Sequence, residues 1–154
     1  MTEKQLLEKM IRFELWIEPR QLDVVQSVLE RDSRPLDLLT HILVSQAIWL
    51  NRMEGRAGEE DCFPEAGLEQ CRLLAKIVEE RWGAFLKKLT AKKLEERITV
   101  KRPDGAVIQP QVRDILLQLV THSAHHRGQM NLLVKEAGGE PSKDGYIRYT
   151  LSEQ

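Results

Sequence analysis

Three of the chain's four histidines lie in one stretch, from Asp114 to Ala137, which reads as a single helix. Imidazole is the side chain that changes charge and binds metals near neutral pH. His122 and His126 are four residues apart, and this spacing places both rings on one helix face, one turn above the other. Two imidazoles so placed can share a metal ion. His125 is predicted to lie at the flank, about 80° from the Ile115 edge of the apolar stripe.

The two histidines coincide with the apolar stripe of this predicted helix. At about 100° per residue, the stripe spans roughly 80° of arc. Its members are Ile115, Leu119, His122, His126, Met130 and Leu133. We therefore expect both rings to point into the core. Two readings stay open: structural histidines, each with its own hydrogen-bond partner, or ligands of one metal ion. Burying either ring unpaired costs about 1–3 kcal/mol.

Composition narrows the classes of function. A chain of 154 residues is predicted to form one domain, residues 1–154. The formal net charge of -1 gives no electrostatic reason to expect nucleic acid or an anionic membrane as partner. The longest uncharged segment, Leu38 to Asn51, is shorter than a membrane span, and the charged amino terminus does not resemble a signal peptide. We expect a cytoplasmic protein in which Cys62 and Cys71 are free thiols.

Helical periodicity predicts an all-α four-helix bundle. The predicted helices are Glu3 to about Leu29, Pro35 to Met53, Leu68 to Leu89, and Asp114 to Ala137. Pro19 predicts a kink or a break near Trp16 to Arg20. The stretch from Ile98 to Ile108 predicts a short β-hairpin before the last helix, because Asp104-Gly105 is a strong turn signal.

Other parts of the chain are predicted to be irregular. Residues Glu54 to Gly67 form a loop, and Gly138-Gly139 ends the last helix and leaves an extended tail with Tyr146 and Tyr149. His41 lies at the border of the apolar face of the second helix. It can join the other two histidines only where the second and last helices meet.

Two stretches resemble the DinB/YfiT-like family. HSAHHRGQ, from His122 to Gln129, is similar to the fourth-helix motif of that family, and LLTHILVSQAIWLNRMEG, from Leu38 to Gly55, is similar to its second-helix motif. Weaker similarity covers almost the whole chain, including FELW at Phe13 to Trp16 and Asp144 near the end. Two departures are Pro19, and Gly145 between Asp144 and Tyr146.

The resemblance implies a four-helix bundle with a three-histidine metal site. Carried over residue by residue, the ligands are His41, His122 and His126, and His125 is left out. Three neutral imidazoles leave open positions on Zn²⁺ or Ni²⁺, the two divalent metals expected here. Water or a thiol could take such a position and lose its proton more readily there.

Two functions are compatible with this implied site. The first is a metal-dependent enzyme, of S-transferase or hydrolase type, that activates a low-molecular-weight thiol or water against an electrophile in detoxification or stress response. The alternative is a non-catalytic metal-binding protein of the stress or damage response, with a structural ion. The family resemblance also implies a homodimer, and the family name is no evidence of DNA binding.

Overall fold

The fold is mostly helical. A computed structural model of the chain describes residues 1–56, 67–143 and 145–154. In chain order the elements are α1 (Glu3–Val28), α2 (Arg34–Met53), α3 (Leu68–Lys88), α4 (Ala91–Glu95), β1 (Val100–Lys101), β2 (Val107–Ile108), α5 (Val112–Glu136) and α6 (Tyr146–Ser152). This order confirms the predicted four long helices and the hairpin before the last of them.

Local sequence signals set several of the helix ends. Thr2 forms a capping box with Gln5 at the start of α1, and Pro35 lies in the first turn of α2, where its missing N–H costs nothing. Gly138 has a φ of +79°, the left-handed conformation that closes a helix cheaply in glycine. The carboxyl end of α5 therefore falls where the sequence predicts it.

Pro19 lies inside α1, which runs without a break from Glu3 to Val28. Of the two outcomes predicted for Pro19, a break is therefore wrong. Ile17 and Leu22 are both buried, so packing holds the turns on either side of the proline in place. Tertiary burial offsets the loss of one backbone hydrogen bond.

The tail after α5 is not extended as predicted, because residues 146–152 form α6. Tyr149 of α6 is buried, and its ring centroid lies 5.6 Å from those of both Phe13 and Trp16 on α1. Tyr146 meets Phe13 edge to face at 5.1 Å. A helix this short is unstable alone, so aromatic packing against α1 stabilises it. Such long-range contacts leave no local pattern in the sequence.

The long helices pack around a shared core. α2 packs against α5, α3 and α1, and α1 also contacts α5 and α3. β1 and β2 pair antiparallel, with Val100 opposite Ile108, and Gly105 in their connection has a φ of +86°. The Val112 N–H donates to the Glu96 carbonyl at 2.9 Å, which fixes the start of α5 against the segment before β1. Among the described residues, no helix is long and apolar enough to cross a membrane.

The inward face of α1 is polar at its centre. Seven of its buried residues follow one stripe with alternating steps of four and three residues, and they are Leu7, Ile11, Glu14, Glu18, Gln21, Val25 and Val28. Glu14 accepts a hydrogen bond from Arg127 of α5, and both side chains are buried. On α2, the buried Gln46 accepts a hydrogen bond of 2.8 Å from the Trp82 indole N–H of α3. A polar layer therefore crosses the middle of the bundle.

Glu18 lies in this layer and is held uncharged at neutral pH. Burial is the largest cause that raises the pKa of Glu18 from 4.5 to about 8, and the carboxylate of Glu14 adds to it. The hydrogen bond from Gln46 and the charge of Arg127 oppose the shift, whereas Glu79 reinforces it.

This raised pKa predicts that the free energy of unfolding contains a component that falls as pH rises. Between pH 4.5 and about 8 the unfolded chain releases the Glu18 proton and the folded chain keeps it. The folded state therefore loses relative stability across that window, by at most about 5 kcal/mol. Urea unfolding of the Glu18→Gln variant at pH 5 and at pH 8.5 should show its stability rising relative to that of the unsubstituted chain as pH increases.

Glu80→Gln is the matched control, because Glu80 is an exposed carboxylate on α3. The free energy of unfolding of Glu80→Gln should differ from that of the unsubstituted chain by the same amount at pH 5 and at pH 8.5. A difference between Glu18→Gln and the unsubstituted chain that is equal at the two pH values would contradict the assignment.

Candidate metal centre

Two helices position the three histidines. His41 lies in the amino-terminal half of α2, and His122 and His126 lie in the middle of α5. The buried Leu39 and Leu43 anchor α2 on either side of His41. α2 and α5 pack closely along one side of the bundle, so the three rings meet along the edge between them.

The ring nitrogens converge. His41 Nε2 lies 3.0 Å from His122 Nε2. The ring centroid of His126 lies 4.6 Å from that of His41 and 4.5 Å from that of His122. One nitrogen from each of the three residues lies within 4.8 Å of the others. Zn–N bonds of about 2.0–2.1 Å in a tetrahedron separate two nitrogens by about 3.3 Å, so small side-chain adjustments suffice.

Gln129 orients one of the three rings. His126 Nδ1 lies 2.7 Å from Gln129 Oε1. An amide oxygen only accepts, so Nδ1 carries the hydrogen and donates it. The lone pair of the ring is then on Nε2, which is free to bind a metal. Such a hydrogen bond to the other ring nitrogen is the usual support for a metal-binding histidine.

The electrostatic surroundings favour uncharged imidazoles. Partial desolvation of the ring is the largest cause that lowers the pKa of His41, and the neighbouring His126 adds to it. Burial likewise lowers the pKa of His122, with further contributions from His126 and His41. Metal binding requires the neutral ring, so both shifts favour it at neutral pH.

The prediction that both α5 histidines point into the core is wrong. His122 and His126 are only partly buried and His41 is exposed, so the cluster lies at the rim of the α2–α5 contact. The centre of the buried face of α5 is occupied instead by Ser123 and Arg127. Counting apolar residues could not locate this centre, because its middle positions are polar.

His125 lies outside the cluster. Its side chain is exposed, and its ring centroid is 5.1 Å from that of His126, but no nitrogen of His125 joins the three that converge. Cys71 is a free thiol as predicted, and burial raises its pKa. Cys62, Asp144 and most of the predicted Glu54 to Gly67 loop lie outside the described residues.

Arg127 and Glu14, like Gln129, lie at or near this site and were assigned no role from the sequence. Besides donating to Glu14, the Arg127 guanidinium lies 5.5 Å from the ring centroid of Phe13. The pair therefore joins FELW on α1 to the HSAHHRGQ stretch on α5. The sequence signal for a buried charged pair was the inward stripe of α1, because two positions near its centre, Glu14 and Glu18, are carboxylates.

The donor set fits a divalent ion of borderline softness. Within the described part of the chain, the cluster consists of three imidazoles, with no carboxylate or thiolate beside them. Imidazole suits Zn²⁺ and Ni²⁺, and three donors leave at least one position open. The residues present could therefore hold such an ion.

Comparison with known proteins identifies the family. No curated protein sequence matches this chain significantly. The sequence profile of the DinB family matches residues 18–154, nearly the full chain. The matched region contains all of α2 and α5, and with them the three converging histidines. The chain therefore belongs to the DinB family.

Proposed function

We propose that His41, His122 and His126 hold one divalent metal ion, Zn²⁺ or Ni²⁺, in a catalytic centre that activates a low-molecular-weight thiol or water. The observation that carries this proposal is the convergence of three imidazole nitrogens, within 4.8 Å of one another, at a solvent-facing edge. The reaction class is S-transfer to an electrophile or hydrolysis, in detoxification or stress response.

Each residue has a defined part in this proposal. The three rings supply neutral nitrogen donors, and Gln129 holds the ring of His126 in the tautomer that leaves Nε2 available. A bound divalent ion would lower the pKa of a coordinated thiol or water toward neutrality. The exposed His41 leaves one side of the cluster open, so a small molecule can approach from solvent.

The number of protein ligands favours a catalytic metal ion over a structural one. Structural zinc sites are closed by four protein ligands, whereas catalytic sites keep a position for water or substrate. Three protein donors converge in the described part of the chain, and they lie at a rim. From the family resemblance we also propose a small thiol or electrophile as partner, a homodimer as the assembly, and the cytoplasm as the location.

The alternative is a structural ion in a stress-response or damage-response protein. The observation that favours it is that the ligands come from two helices, so a bound ion would tie α2 to α5. An ion that binds only the native state stabilises the fold. Both roles share the same ligands, and they differ in whether an exogenous molecule reaches the ion.

Adjacent residues on α5 should differ sharply in their effect on metal content. We expect His126→Ala to lose the metal and His125→Ala to keep about one ion per chain, because only His126 converges with His41 and His122. Elemental analysis of protein purified without an affinity tag measures both. Near-stoichiometric metal in a His122→Ala and His126→Ala double variant would overturn the assignment.

The catalytic proposal predicts that a thiol reaches the metal. When the protein is loaded with Co²⁺, adding cysteine or glutathione should produce sulfur-to-metal charge-transfer bands, because a thiolate enters the open position. His126→Ala should show no such bands. A cobalt spectrum that no thiol alters, together with no chelator-sensitive thiol transfer or hydrolysis, would support the structural role instead.

A further inference from the structure

A cavity lies at the other end of α2 from His41. Its volume is about 980 Å³, and residues from the carboxyl ends of α2 and α3, from α4 and from the segment before β1 line it. Arg52, in this lining, follows His41 by eleven residues along α2, a rise of about 16 Å. The cavity is therefore separate from the histidine cluster.

The lining of this cavity is strongly cationic. Among the residues that the structure describes, it contains six basic side chains and one carboxylate, Glu54. The basic residues are Arg52, Arg56, Arg81, Lys88, Lys93 and Arg97. A chain with a formal net charge of -1 has no general excess of positive charge, so this concentration is local. Like charges gathered around one cavity repel, and a bound anion would relieve that repulsion.

The ion pairs among the described residues of this lining leave some N–H donors of the basic side chains without a partner. Glu54 lies 3.2 Å from Arg81 and 3.8 Å from Arg56, so one carboxylate is shared by two guanidinium groups. The buried Nε of Arg81 has no hydrogen-bond partner among the described residues. Lys88 makes no ion pair there. Because Arg81 Nε is itself inaccessible, the donors that could face a ligand are the terminal N–H groups of Arg81, whose side chain is 18% exposed, and the ammonium group of Lys88.

Helix dipoles explain some of these cations and leave others unexplained. Arg52, Lys88 and Lys93 lie in the last turns of their helices, where positive charge stabilises the carboxyl end. Arg81 lies two turns before the end of α3, and Arg97 follows α4. Lys87 and Lys88 share the last turn of α3, and both would stabilise the carboxyl end of that helix equally. Only Lys88 lines the cavity, so the helix dipole does not explain why this lysine faces it.

The remaining lining suits an apolar group. Met53, Phe85, Leu89 and Ile98 contribute apolar side chains to the same cavity. We propose that this cavity binds a small phosphate-bearing molecule, whose phosphate is held by Arg81 and Lys88 and whose body packs on these apolar side chains. Guanidinium groups match phosphate oxygens in geometry and charge, and a concave site with an apolar wall is typical for small molecules.

Calorimetric titration with phenyl phosphate tests this proposal on the full chain at fixed ionic strength. Phenyl phosphate should bind, and inorganic phosphate should bind more weakly because it lacks the apolar group. Lys88→Gln and Arg81→Gln should each weaken phenyl phosphate binding roughly tenfold, since a charge-assisted contact is lost. Lys87→Gln, the matched control, should bind like the unsubstituted chain.

Two further measurements distinguish binding in this cavity from binding elsewhere on the protein. His41→Ala should keep full affinity for phenyl phosphate; a loss there would place the phosphate at the histidine cluster and overturn the proposal. Thermal melting checks each variant, and Lys88→Gln stays informative even where Arg81→Gln fails to fold because its contact with Glu54 is lost. No binding at millimolar phenyl phosphate would overturn the proposal. Equal weakening by Lys87→Gln and Lys88→Gln would also overturn it.

Discussion

The buried contact between Arg127 and Glu14 constrains how α5 can sit in the bundle. Arg127 must face α1 to reach the carboxylate, and both side chains are nearly inaccessible to solvent. Neighbouring residues on a helix differ by about 100° in direction. When Arg127 points toward α1, His126 is therefore turned away from the centre of the bundle, and it reaches the rim where α2 presents His41. The orientation of the histidine cluster thus follows from a charged pair that is not part of it.

A buried ion pair of this kind is a costly way to stabilise a fold. Removing two charges from water costs several kcal/mol per ion, and their attraction offsets that cost only when the geometry is good. A wholly apolar contact between α1 and α5 would tolerate small rotations, whereas a hydrogen-bonded pair specifies one rotation. Replacing only one partner leaves an uncompensated charge in the core. Glu18, held uncharged beside the pair, keeps the layer from carrying a second buried negative charge.

The sequence predicted the features that depend on local pattern and missed those that depend on contacts distant in the chain. Periodicity and caps predicted the four long helices and the hairpin, and two motif stretches predicted which three histidines would converge. The predicted rotation of α5 about its axis was wrong because the centre of its inward face is polar. Hydrophobicity alone cannot place Arg127 in a core before its partner Glu14 is known. The prediction of an extended tail was wrong because Tyr149 stabilises α6 by packing against aromatic rings on α1, more than a hundred residues away in sequence. The cationic cavity was invisible for a similar reason, since its lining comes from four separate segments.

Both proposed roles of the histidine cluster require that three imidazoles from α2 and α5 bind one divalent ion. X-ray absorption spectroscopy at the zinc edge measures this most directly, on protein purified without a tag and loaded with one equivalent of Zn²⁺. We expect three imidazole nitrogens at about 2.0–2.1 Å, completed by one exogenous light atom or sulfur, and fewer imidazoles around any zinc that His41→Ala retains. A spectrum dominated by several cysteine sulfurs, or one that shows the same number of imidazoles with and without His41, would contradict the assignment of these ligands.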